Sequence, residues 1–290
     1  MQTENNLSLQ VKHYIDSDYN AESSFRYQYF LIIAQHEMLS IIADEQINRV
    51  VSFKIFTNNS ISFLDMNYDQ LKELEEVTDE FKPNYKSKKV IIADDNCTLV
   101  PDSLNNIIES ESYYQLNKRI KVNSQVLYNK LNLHHTVSLF NIRNEILKFI
   151  RFNMPTAEIL HQSLLFIKAC SHLEETNREH TLYLNLHVDY IEILQFKNDQ
   201  IHFYNNFKFD NQTDIAYYVL AVAEQLNISK DLHLVVFGGI EVNDSQYLLL
   251  KKYCSQIELG KRLDKFTYPI DFSKMPAHFY FAASSVLLCE

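Results

Sequence analysis

Two neighbouring carboxylates follow a predicted buried strand. Asp94 and Asp95 come directly after the apolar residues 89–93, at the carboxyl end of a strand, where an open α/β sheet places its ligands. Carboxylate oxygens at such a position can hold Mg²⁺, as they do in metal-dependent nucleases. Those enzymes also use a carboxylate from the first strand of the sheet, and residues 27–34 contain none. We therefore expect both aspartates to form a turn or to cap a helix.

A histidine and a carboxylate also stand near the end of a strand in the second half of the chain. His187 and Asp189 are two residues apart, so in an extended chain their side chains point to the same side. This pair could form half of a metal site or a general-base pair. The spacing reveals no third partner, and we expect the two to be polar surface residues.

Composition excludes several classes of protein. The 290 residues include only 3 glycines, whereas average usage of about 7% would give about 20. A P-loop, a dinucleotide fingerprint and a kinase glycine-rich loop each need several glycines near phosphate, so none can be present. The net charge of -10 argues against nucleic acid and against anionic membrane surfaces as partners.

The first half of the chain predicts three antiparallel strands followed by alternating helices and strands. Apolar, β-branched and aromatic residues dominate the strand segments, and Asn67 or Asp65 can cap the first helix. The predicted strands cover residues 27–34, 37–43, 47–56, 89–93, 136–140 and 157–160, and the later helices cover 145–152 and 163–173.

The second half repeats this order of elements. Ile201, Phe207 and Lys208 match Ile47, Phe53 and Lys54 at one constant offset. The predicted strands are 181–186, 190–196, 200–209 and 232–237, and the predicted helices are 213–226, 245–253 and 276–287. The sequence thus predicts an α/β protein with mixed sheets, consisting of an arm (1–25), a first lobe (26–175), a second lobe (176–290) and a cleft between the lobes.

A βββαβα unit present twice resembles the actin-like ATPase fold, which is itself a doubled ribonuclease H-like unit. Residues 234–240 make this resemblance more specific, and residues 90–101, 139–143 and 155–165 (with His161) also resemble a family of uncharacterised bacterial proteins, the domain of unknown function 3822. That family has a degenerate actin-like fold and is distantly similar to the pilus assembly protein PilM and the division protein FtsA. The resemblance extends from about residue 27 to the end of the chain.

The resemblance implies a nucleotide cleft whose phosphate-binding part has changed. Active members hold phosphates with two Asp-x-Gly hairpins, whose backbone amides surround the anion. The corresponding turns here, 34–37 and 187–190, contain no glycine and instead carry Glu37 and Asp189. Gly238 and Gly239 resemble the adenosine motif of the superfamily, although the same pair can simply form the tight exit of a buried strand. Gly238, Gly239 and Asp189 are therefore the candidate cofactor-binding residues.

Two functional hypotheses follow. The first is a non-catalytic interaction or scaffold module with no cofactor, working with a protein partner or as a homo-oligomer; the 18 tyrosines and 19 phenylalanines fit either an interface or a large core. The alternative is an ATP-binding protein or ATPase that uses ATP and Mg²⁺. We identify no catalytic residue and no metal site. Residues 1–10 lack the pattern of a signal peptide, so we expect a cytoplasmic protein without membrane insertion.

Overall fold

The structure is a computed structural model, and it describes residues 9–77, 80, 82–104, 109–173, 178–254 and 256–289. Within these ranges the chain forms fourteen strands and eight α-helices. The strands are β1 (Gln10–Ile15), β2 (Gln28–Ala34), β3 (Glu37–Asp44), β4 (Arg49–Thr57), β5 (Ser87–Ala93), β6 (Cys97–Pro101), β7 (Ser124–Leu131), β8 (Thr136–Arg143), β9 (Glu158–His161), β10 (Thr181–Leu186), β11 (Tyr190–Lys197), β12 (Gln200–Lys208), β13 (His233–Gly238) and β14 (Gln256–Leu259). The helices are α1 (Tyr68–Val77), α2 (Ser110–Gln115), α3 (Asn144–Asn153), α4 (Gln162–Ser171), α5 (Gln212–Gln225), α6 (Ser245–Lys251), α7 (Ile270–Ser273) and α8 (Phe281–Ser284).

Two mixed sheets share one strand order. The first sheet runs β1-β4-β3-β2-β5-β9 and the second runs β12-β11-β10-β13-β14. In the first sheet β2 pairs antiparallel with β3 and parallel with β5, and in the second β10 pairs antiparallel with β11 and parallel with β13. The predicted mixed α/β architecture is confirmed, and apart from the additional edge strand β1 the two sheets have the same strand order. A third, antiparallel sheet, β6-β8-β7, belongs to the first half alone.

Successive side chains of a strand point to opposite faces of its sheet, and this alternation explains how the lobes join. Tyr29, Leu31 and Ile33 of β2 pack against α1 and α3 on the outer face of the first sheet. Phe30 and Ile32, which point the other way, join a core shared with α4 and the inner face of the second sheet. The outer face of the second sheet is covered by α5 and α6.

Side-chain caps explain where two of the helices begin. At α5, Asn211 accepts hydrogen bonds from the amides of Thr213 and Asp214, and Asp214 bonds back to the amide of Asn211. At α1, Asn67 and Gln70 each accept a hydrogen bond from the other's backbone amide. These reciprocal pairs satisfy amides that have no partner inside the helix, and the predicted cap at Asn67 is confirmed.

The carboxyl-terminal segment departs from the predicted helix 276–287. It contains only the short α8 and a 3-10 turn at Val286–Leu288. The hydroxyls of Ser284 and Ser285 both donate to the carbonyl of Phe281, and such bonds compete with regular helix formation. The segment instead contacts both sheets: Tyr280 packs on Phe53 of the first sheet at 5.7 Å between ring centroids, and Phe281 stacks on Phe237 of the second at 3.9 Å.

Other departures lie in the strands. β1 pairs with β4 as an edge strand, so the predicted arm contains a strand that the sequence analysis did not foresee. β6, β7 and β14 were also not predicted. The predicted boundary between the lobes, at residues 175 and 176, lies outside the described residues. No helix in the described ranges is long and apolar enough to cross a membrane.

Candidate functional site

A cavity of about 690 Å³ lies between the two lobes. It is bounded by the tips of the β2–β3 and β10–β11 hairpins, the end of β13, the start of α6 and residues 279–283. Gly238, Gly239 and Asp189, the three candidate residues, all line it. The predicted cleft therefore exists, and the structure brings its three candidate residues to its wall.

The two glycines at the cavity have different roles. Gly238 has φ 97, and a Cβ placed there would lie 2.1 Å from the carbonyl oxygen of Leu186, its partner in the parallel β10–β13 pairing. Only glycine fits this position, because both the backbone conformation and the contact exclude a side chain. A Cβ at Gly239 would meet nothing within 4 Å. Gly238 thus serves the strand exit, whereas Gly239 leaves room in the cavity.

Side chains, not backbone amides, meet at the two hairpin tips. In the amide orientation that satisfies its hydrogen bonds, Gln35 donates to both carboxylate oxygens of Asp189, at 2.6 and 3.0 Å. The hydroxyl of Tyr280 donates to Oε1 of Glu37 at 3.1 Å. No residue of either turn has a positive φ, so the tips lack the alternating backbone conformation that forms an anion-binding nest.

The electrostatics of the tips are unfavourable for phosphate. Glu37 and Asp189 are partly buried, and burial raises the pKa of each carboxyl above its ordinary value. A phosphate at this position would enter beside two acidic groups that already lack solvation, and like charges close together repel strongly where the dielectric is low. The site is therefore better suited to a neutral or positively charged group.

His187 is bound to a buried network, so the prediction that it is a simple surface residue is wrong. Its Nε2 lies 2.8 Å from Oε2 of Glu192, and its ring stacks on Tyr190 at 4.0 Å between centroids. Asn185 and Tyr204 each donate a further 2.8 Å hydrogen bond to the same carboxylate. Burial alone would raise the pKa of Glu192, but these hydrogen bonds and His187 hold it below its ordinary value.

Asp94 forms the predicted turn and also contacts a histidine. Its Oδ1 accepts from the amide of Asn96 at 2.9 Å and lies 3.3 Å from Nε2 of His161. Asp95 lies apart and pairs with Lys208 at 3.4 Å. The structure therefore does not place Asp94 and Asp95 as joint ligands of one ion. In the described part of the chain, no three His, Cys, Asp or Glu side chains are grouped so that they could hold a metal.

Around His161 lies a buried polar cluster behind the cavity wall. Nδ1 of His161 is 2.9 Å from Oγ of Ser163, which in turn contacts Cys97 and Ser138. Burial alone would lower the pKa of His161, but Cys97 and Asp94 raise it to about 10. The nitrogen Nδ1 also accepts from the amide of Ser163 at the start of α4. The cluster joins the residue after β5 to β6, β8, β9 and α4.

Sequence reasoning missed two residues of the cavity. Tyr280 reaches Glu37 across 243 positions of the chain, and no local pattern reports such a contact. Gln246 lies at the start of α6 and is buried against the cavity. Its type and position resemble an ordinary polar residue in the first turn of a helix, so the sequence offers no signal for it.

The paired lobes, their shared strand order and the cleft between them define the class of this protein as the actin-like ATPase fold. A Bacteroides thetaiotaomicron protein with actin-like ATPase fold and unknown function is similar to it with a TM-score of 0.81 and 22% identity, over 94% of this chain and 99% of that one. The family model described as "Protein of unknown function (DUF3822)" matches residues 16–257, and the chain belongs to this family.

More distant structures share the fold. The PilM-PilN type IV pilus biogenesis complex contains a chain similar to this one with a TM-score of 0.54 and 11% identity, over 89% of this chain and 96% of that one. The ethanolamine utilization protein EutJ from Carboxydothermus hydrogenoformans gives a TM-score of 0.50 and 8% identity, over 90% and 89% of the two chains. No curated protein matches the sequence. The resemblance inferred from the sequence, including that to PilM, is confirmed.

Proposed function

We propose that this protein is a non-hydrolysing actin-like module that serves as an interaction or scaffold protein, with a cleft that does not take a nucleoside triphosphate. One observation carries the proposal: the hairpin tips carry Glu37 and Asp189, which are tied by Tyr280 and Gln35. An ATPase needs donors that stabilise the transferred phosphoryl group and its developing charge. At the hairpin tips of this protein the side chains are instead hydrogen-bond acceptors and neutral groups.

For a module that does not hydrolyse ATP, we propose association with another protein chain as the activity. The similar PilM chain is found in a complex with PilN, which supports a protein partner or self-association for this fold. Nucleic acid does not suit the acidic surface, with its net charge of -10. The shared strand order of the two sheets supports an internal duplication, with lobes at 26–175 and 176–290. The four cysteines are buried and form no disulfide, which fits a reducing compartment such as the bacterial cytoplasm.

The alternative, ATP binding, is favoured by the open space at Gly239. The test is thermal unfolding with and without 1 mM Mg-ATP, together with phosphate release. A Kd of about 10 μM would stabilise the folded state by about 2.7 kcal/mol and raise the midpoint by several degrees. We expect no shift and no released phosphate.

A matched variant makes the ATP test specific for the cavity. Gly239→Trp places a large side chain in the space beside Gly239 and leaves the strand exit at Gly238 unchanged. A shift in the wild-type protein that disappears in Gly239→Trp would replace our proposal with the ATP-binding alternative. For the scaffold function, sedimentation velocity from about 1 to 100 μM reports self-association directly, and a monomer at all concentrations would leave only a heterologous partner.

A further inference from the structure

An unpartnered amide lies at the wall of the cavity. Gln246 of α6 is only 7% exposed, and it lines the cavity. Both atoms of its side-chain amide are buried, and neither has a hydrogen-bond partner within the described part of the chain. Buried polar groups are nearly always paired, so an orphaned pair of donor and acceptor points to a group that the protein itself does not supply.

The carboxylates at the hairpin tips lack a cationic partner. Glu37 and Asp189 bind the neutral donors Tyr280 and Gln35. Among the residues that the structure describes, no lysine, arginine or histidine nitrogen lies within 4 Å of either carboxylate. Lys12, His187 and Lys208 act on them only from a greater distance. A partly buried carboxylate is stabilised most by a hydrogen bond from a charged donor. A ligand can supply such a donor here.

Between these polar groups the wall is largely apolar. Ile32 and Leu39 come from the first lobe, Ile215 and Ile240 from the second, and Phe281 from the carboxyl-terminal segment. The volume of about 690 Å³ lies within the range of about 300–1,000 Å³ that is usual for small-molecule sites. Apolar walls with a few placed polar groups are the usual composition of such a site.

Tyr280 holds an unusual conformation at this wall. It has φ 53, in the left-handed region, which is uncommon for a bulky residue. Strained residues of this kind concentrate at ligand sites, where the surrounding structure holds them. Here the conformation accompanies the hydrogen bond from the Tyr280 hydroxyl to Glu37, so it belongs to the same end of the cavity as the carboxylates.

We propose that the cavity binds a small, phosphate-free organic amine. Its ammonium group binds the carboxylates of Asp189 and Glu37, its apolar body lies against the aliphatic and aromatic wall, and a polar group of the ligand pairs with Gln246. This inference rests on the proposed function in one respect, namely that the cleft does not hold a triphosphate.

Two probes of the same shape and opposite charge test the proposal. Tryptamine and indole-3-propionate share an indole ring and a two-carbon chain, but one ends in an ammonium and the other in a carboxylate. Thermal unfolding is measured with each probe at 5 mM and with agmatine as a second amine. We expect at least one amine to raise the midpoint by 2 °C or more, as a Kd of about 0.5 mM or tighter would do, and indole-3-propionate to leave it unchanged.

Variants assign the shift to the cavity. Asp189→Asn and Glu37→Gln keep an oxygen that can accept from Gln35 and Tyr280 but remove the charge, so each should lose at least half of the shift produced by the amine. Asp231→Asn changes an exposed aspartate outside the cavity and should keep the full shift. Each variant is compared with its own ligand-free midpoint, so a change in fold stability does not imitate a loss of binding.

The outcomes separate this inference from the proposed function. No shift with either amine, an equal shift with indole-3-propionate, or a shift that survives both Asp189→Asn and Glu37→Gln overturns the amine site. A shift with Mg-ATP in the same experiment overturns the proposed function instead. If neither amine raises the midpoint and Mg-ATP has no effect either, only the amine site is refuted and the proposed function stands.

Discussion

Replacing Gly238 by alanine should destabilise the protein strongly. At this position φ is 97, and the added Cβ would lie 2.1 Å from the carbonyl oxygen of Leu186. The backbone conformation costs a side-chain-bearing residue about 1–3 kcal/mol. Relieving the contact requires the paired strands β10 and β13 to separate, which costs about 1–3 kcal/mol more, as overpacking of a core does. The expected loss is thus about 2–6 kcal/mol of the free energy of unfolding.

Gly239→Ala is the matched control, because its Cβ meets nothing within 4 Å. Its effect should stay within about 0.5 kcal/mol, as for ordinary surface changes. Urea unfolding followed by circular dichroism measures both variants, and an unchanged slope against urea would show that the midpoint reports stability. A loss of less than 1 kcal/mol for Gly238→Ala, or equal losses for the two variants, would refute the assignment of Gly238 to the strand exit.

Three further predictions concern stability. Asn211→Ala removes the cap of α5 and should lower the free energy of unfolding by about 1 kcal/mol; urea unfolding with no change would mean that the cap is not formed. Glu192→Ala leaves Asn185, His187 and Tyr204 without their shared partner and should cost about 2–6 kcal/mol, because each of the donors Asn185 and Tyr204 left unsatisfied costs about 1–3 kcal/mol; a loss below 1 kcal/mol in the same assay argues against the network. The pKa of Glu192 is held below its ordinary 4.5, so its contribution to the free energy of unfolding is complete well above pH 4.5. This contribution is lost as the pH falls below 4.5, because the unfolded state then binds the proton more readily. The stability of Glu192→Gln should therefore fall less steeply than that of the wild type between pH 5 and 3, and equal slopes would contradict the shift.

The sheets could be predicted because their signals are local. Strands such as β2 and β10 consist mainly of apolar residues, and short polar segments separate β3 from β4 and β11 from β12. β1 was missed because it is an exposed edge strand with polar residues, and such edges lack an apolar pattern. β14 has only four residues, too few for a period to show.

The cavity could be predicted in outline but not in detail. The sequence shows that the two hairpin turns contain no glycine and that two glycines stand together at 238–239. These two features indicated both ends of the cleft. The hydrogen bond from Tyr280 to Glu37 and the buried amide of Gln246 depend on how the carboxyl-terminal segment and α6 fold back on the cleft. Those contacts arise from tertiary packing alone, so no spacing of residues reports them.

The most direct test of the central claim, that carboxylates have replaced the phosphate-binding function of the cleft, is a calorimetric titration of Mg-ATP into the wild-type protein at about 100 μM. We expect only heats of dilution up to 1 mM Mg-ATP, because Glu37 and Asp189 line the cavity and the two hairpin tips that carry them form no backbone nest that could offset their charge. A saturable heat with a Kd below about 100 μM, abolished by Gly239→Trp, would contradict it.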